Sequence, residues 1–115
     1  MSDALITFNR DGALRRLMNN ETLLNRILEI FFSQAEERFS QIRQDIQLGR
    51  YTEARATAHG LKGSAGEVGA ERLHRCLGDL EKALTDNSTQ AEELYKVAVV
   101  EYQQFSQQAR QPASN

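Results

Sequence analysis

The chain has 115 residues, 40% of them hydrophobic and 26% charged, with one proline and a formal net charge of −2, a composition that suits one folded domain over 1–115 and excludes a disordered chain. Its arginines are spread along the chain rather than bunched, so there is no basic field for nucleic acid, and its apolar runs are too short to span a bilayer. A single cysteine cannot close an intramolecular disulfide, no charged start and apolar run mark a signal peptide, and a cytoplasmic location is the expectation.

In chain order, the first expected element is a short helix over about 8–18, carrying Leu14 and Leu17. Asn19, Asn20 and Glu21 then form a helix start, and apolar residues recur at Leu24, Ile27, Leu28, Phe31, Ala35, Phe39, Ile42 and Ile46. That spacing predicts a long helix over about 20–48, stopped by Gly49. The next helix, over 51–66, has a narrow stripe of mostly small residues, Ala54, Ala58, Leu61 and Ala65, suited to close packing. A third stripe, Ala70, Leu73, Leu77, Leu80 and Leu84, steps by three and four and predicts a helix over 70–85. Thr85 to Ser88 end it, and Leu94, Ala98, Tyr102, Phe105 and Ala109 predict a last helix over 89–109 before a frayed tail at 110–115. No segment alternates like a strand. Amphipathic helices joined by short connections imply an all-α fold, an antiparallel up-and-down four-helix bundle with a short additional N-terminal helix.

The segment AHGLKGSAGEVGA, residues 58–70, departs from this regularity. At about 100° per residue His59 lies well away from the Ala54, Ala58, Leu61, Ala65 stripe and faces outward. Gly63 and Gly66 share its exposed side, one and two turns on, and Arg55 and Lys62 flank it. Each helical glycine costs about 1 kcal/mol relative to alanine, and such local violations tend to mark function. An accessible imidazole with cleared flanks and cationic neighbours suits close approach of another protein and an anionic group such as phosphate. Neutral imidazole is a competent nucleophile near pH 7. A solvated surface histidine has the same spacing, and spacing alone does not separate the two readings.

His59-Gly60-Leu61-Lys62-Gly63, followed by Gly69-Ala70, Leu73 and Leu80-Glu81, resembles the signature of histidine-containing phosphotransfer (HPt) domains of multistep phosphorelays. The resemblance runs from about residue 5 to residue 105. Glu67 departs from it, standing where relatives often carry an uncharged polar residue. The resemblance implies that His59 accepts a phosphoryl group from a receiver-domain aspartyl phosphate and passes it to another receiver aspartate. It further implies that Lys62 steadies the phosphate and that Gly63 leaves room for the incoming active site. Such a domain is a stoichiometric carrier without an ATP site, not an enzyme, and has no cofactor or metal of its own; Mg²⁺ would come with the receiver. Receiver domains of a hybrid histidine kinase and of a response regulator are the implied partners, and the expected state is a monomer. Counting through the turns places His59 level with residues 38–41 on the preceding helix and 75–79 on the next. The expected docking surface therefore includes Arg38, Gln41, Arg55, Lys62, Gly66 and Arg75.

Other features carry less. The glycines run GxxGxxG, with Lys62 before Gly63, which matches neither dinucleotide nor P-loop spacing. His74 and Cys76 are too close along one helix to share a metal, and no further cysteine exists. His74 is expected to be solvated, Cys76 a core or boundary residue, and the pairs Glu36-Glu37 and Glu92-Glu93 exposed faces. The alternative function is a helical adaptor that docks partners without phosphorylation, which accounts for the bundle but not for the cleared glycine face. Pathway, direction of flow, and whether the domain is free-standing or part of a hybrid kinase are not legible.

Overall fold

The computed structural model describes residues 4–110, and among these there are five helices and no strand. They are α1 (Arg10–Arg16), α2 (Glu21–Gln47), α3 (Tyr51–Glu67), α4 (Glu71–Thr85) and α5 (Ala91–Ala109). The expected helix ends lie within two residues of these, the range over which helix ends fray. Of the expected tail at 110–115, residues 111–115 lie outside the described residues.

Two helices begin at an asparagine whose side chain satisfies one of their free N–H groups. The Asn20 side chain accepts from Leu23 N at 3.0 Å at the start of α2, and Asn9 accepts from Gly12 N at 2.9 Å at the start of α1. Connections of three to five residues then make chain neighbours pack: α2 on α3, α3 on α4 and α4 on α5, with α5 returning to α2 across a smaller seam.

The core divides by residue size. Between α2 and α5, Phe31 meets Phe105 at 5.7 Å and Phe39 meets Tyr102 at 5.3 Å between ring centroids, and the Tyr95 hydroxyl donates to the Phe39 carbonyl at 3.0 Å. On α3 the buried residues are Ala54, Ala58, Leu61 and Ala65, and small side chains let that helix lie close to α2 and α4. The α3–α4 seam is the most extensive in the fold, and it carries the site described below. Arg110, expected in the frayed tail, instead stacks on Phe32 with its guanidinium carbon 4.0 Å from the ring centroid.

The segment before α2 closes the end of the molecule at the α3–α4 turn. Asn9 N donates to the Gly69 carbonyl at 2.8 Å, and the Asn9 amide donates to Glu71 at 2.7 Å. Phe8 sets its ring edge-on to Phe105 at 5.2 Å. Gly69 has φ +80°, and a Cβ there would meet the Asn9 carbonyl oxygen at 2.5 Å, so only glycine allows both the turn and the approach of the N-terminal segment.

Candidate functional site

Facing residues set the register of α3 against α4. His59 stands opposite Glu81, the Lys62 stem crosses Gly78, and Gly66 backs onto His74, so the two helices run in opposite directions, with a glycine where the His74 ring packs closest. His59 is outside the buried stripe, and its side chain is 67% exposed.

Glu81 links His59 and Lys62. Its Oε2 lies 2.8 Å from His59 Nδ1 and its Oε1 lies 2.8 Å from Lys62 Nζ, while the Glu81 side chain is only 18% exposed. The Lys62 ammonium, and to a smaller extent the His59 ring, hold the Glu81 carboxyl below its usual range against the opposing effect of partial burial. An ionised carboxylate can only accept a hydrogen bond, so Nδ1 of His59 must carry the proton. In the neutral ring that leaves the lone pair on Nε2. The result is a largely exposed imidazole with a defined tautomer, an anion behind it, and an ammonium one helical turn along.

The glycines around it do different jobs. A Cβ on Gly63 would meet nothing within 4 Å, so the surface one turn from His59 is open. At Gly60 the nearest atom would be Arg38 Nη1, 3.7 Å away. At Gly66 a Cβ would lie 3.2 Å from His74 Nδ1, so the space its missing side chain leaves is filled from within the chain by His74. His74 is exposed as expected, yet its Nδ1 also lies 2.9 Å from the Lys62 carbonyl oxygen, to which it can only donate.

The α2 side of the expected surface gathers near His59. Arg38 and Gln41 line a groove of about 610 Å³ with Gln34, Glu37, Ala56, Thr57 and Gly60 between α2 and α3. The Gln41 amide leans back toward the buried Asp45, at 3.3 and 3.4 Å. Arg55 is exposed one turn before His59 on α3. The α4 side needs a correction. Residue 81, not 75–79, is level with His59, and exposed Arg75 is about 9 Å along the axis from Glu81. The turn at Val68, Gly69 and Ala70 sets that register, and a count from sequence that misjudges the turn by a few residues selects the wrong helical turn of α4. Glu81 thus had no assigned role in the sequence reading, although it stands in the Leu80-Glu81 part of the signature. Among the described residues no group of three or more His, Cys, Asp or Glu side chains could hold a metal ion, and no helix is long and apolar enough to cross a membrane. Burial pushes the Cys76 thiol up, which leaves it protonated and unreactive near neutrality.

Comparison with known families matches residues 26–111 to the Hpt domain. The matched span contains α3, α4 and every residue named above at the site, and leaves out α1. Searches of curated proteins and of solved structures found no match.

Proposed function

The chain belongs to the Hpt domain family, whose members transfer phosphoryl groups through a histidine in phosphorelay signalling, and from that premise we propose that His59 is the residue phosphorylated here. The observation that carries the proposal is the Glu81 bridge, which gives His59 the tautomer a nucleophile at Nε2 requires. The Nε2 lone pair attacks the phosphorus of a receiver's aspartyl phosphate. An N–P bond forms as the P–O bond to the aspartate breaks, and the aspartate leaves as a carboxylate. The imidazole gains positive charge in this step, and the Glu81 carboxylate behind Nδ1–H is placed to stabilise it. An ammonium has three donors, so Lys62 can keep Glu81 with one and offer the others to the phosphoryl oxygens. In the return step an aspartate oxygen of a second receiver attacks the phosphorus, the N–P bond breaks, and His59 leaves as the neutral ring.

Receiver domains are the partners of this chemistry. In this reading they dock over α2 and α3, covering Arg38, Gln41 and Arg55 as well as the open surface at Gly63. The domain works as a cytoplasmic monomeric carrier, built as an up-and-down four-helix bundle with α1 closing one end. The adaptor alternative leaves the 2.8 Å contacts of Glu81 without a purpose.

The test is transfer from a receiver domain that has been phosphorylated with acetyl phosphate and then purified. We expect base-stable, acid-labile phosphate on the wild-type chain and none on His59→Gln, with unchanged helical circular dichroism. Equal labelling of His59→Gln would remove His59 from the mechanism.

A further inference from the structure

Lysine has a long flexible stem, and holding its ammonium in one place costs side-chain entropy. Here α4 holds Lys62 at two points: its carbonyl oxygen is 2.9 Å from His74 Nδ1, and its Nζ is 2.8 Å from Glu81, while its stem passes over Gly78. His74, Gly78 and Glu81 are spaced i, i+4, i+7, which puts them in one row along a helix. Gly66 has a steric reason in this arrangement, since it gives the His74 ring its place, whereas a Cβ at Gly78 would make only ordinary contact with the lysine stem.

We propose that His74 is a positioning residue for Lys62: by donating its Nδ1–H to the Lys62 carbonyl it fixes the turn of α3 from which the ammonium reaches Glu81 and the phosphoryl group. The inference rests on the reading of Lys62 as the phosphate-stabilising group. A carbonyl only accepts, so His74 is held as its Nδ1–H tautomer. Gly66 belongs to the same device, since a methyl group there would press on the ring. The ammonium is then already in place when a receiver arrives, and no ordering has to accompany the transfer itself.

The experiment compares wild type with His74→Leu, His74→Asn and Gly66→Ala. Asparagine can place an amide N–H near the position of Nδ1, whereas leucine fills the space without a donor. The first readout needs no phosphate: NMR of the Lys62 side-chain ammonium, whose protons exchange slowly while Glu81 holds them. We expect protected ammonium signals in wild type and His74→Asn, and fast exchange in His74→Leu and Gly66→Ala. The second readout is the transfer rate at saturating receiver, with the receiver phosphorylated as above. Displacement of a reacting group by 1 Å can cost about 100-fold, and loss of the His74 hydrogen bond in His74→Leu should cost about tenfold, with receiver affinity unchanged in that variant and most of the rate restored by asparagine. Wild-type ammonium protection and wild-type rate in His74→Leu would overturn the proposal, as would an asparagine variant no better than leucine. If no variant and no wild-type protein takes up phosphate, the carrier reading has failed, and the ammonium signals still decide whether His74 positions Lys62.

Discussion

Glu81 holds the proton of the neutral His59 ring on Nδ1 and leaves the lone pair on Nε2, and it does so as a single carboxylate shared with Lys62. Because both partners are partly solvated, the stability it contributes is small. Glu81→Ala should cost about 1 kcal/mol or less, measured by chemical denaturation. Its effect on phosphoryl acceptance should be larger, about tenfold or more, as is common when the carboxylate orienting a reactive imidazole is lost. The sign of its pH dependence follows from its lowered pKa. The stabilisation is fully present above the ordinary carboxylate range and is lost as pH falls through the lowered value. Carbon-13 titration of the Glu81 carboxyl should therefore show a midpoint below that of an exposed glutamate, moving up in Lys62→Ala. At this scale the sequence was informative about His59, Lys62 and Gly63, because helical spacing alone says which side chains share a face. It was silent on the partners of His74, because the acceptor is a backbone carbonyl that no residue type marks.

The four longer helices were legible because each carries an apolar period over several turns. What depends on how two helices sit against each other was less so. The α3–α4 register is set by a three-residue turn whose conformation rests on Gly69 at φ +80° and on the Asn9 carbonyl packed against it. Residue counting has no access to that geometry. The role of the segment before α1 was also hidden, since its contacts run from Asn9 and Ile6 to Gly69 and Glu71, sixty or more residues away in sequence. Gly69→Ala forces a left-handed conformation costing about 1–2 kcal/mol on an L-residue and adds a clash with backbone that cannot rotate away. We expect a loss of at least that size in thermal or urea unfolding, with faster amide exchange at Asn9. Gly63→Ala, which meets open space, should instead hold or raise stability by up to about 1 kcal/mol.

For the whole molecule, a net charge of −2 leaves little long-range field, and partner approach depends on local cations around His59. Arg38 and Arg55 lie at the rim of the expected docking surface, whereas Lys62 is bound to Glu81 beside the His59 ring. Charge reversal at either arginine should slow association with a phosphorylated receiver, with an effect that shrinks as salt rises. Lys62→Ala should slow the transfer step itself and keep most of its effect at high salt; stopped-flow rates at low and high ionic strength separate the two. In the proposed mechanism the fold presents Nε2 of His59, with Nδ1 protonated against Glu81, as the atom that carries phosphate. The most direct test is nitrogen-15 and phosphorus-31 NMR of the protein after transfer from a phosphorylated receiver. One phosphoramidate is expected, on Nε2 of His59, with the Nδ1 proton still hydrogen-bonded to Glu81. Phosphate on Nδ1, or on His74, would contradict it.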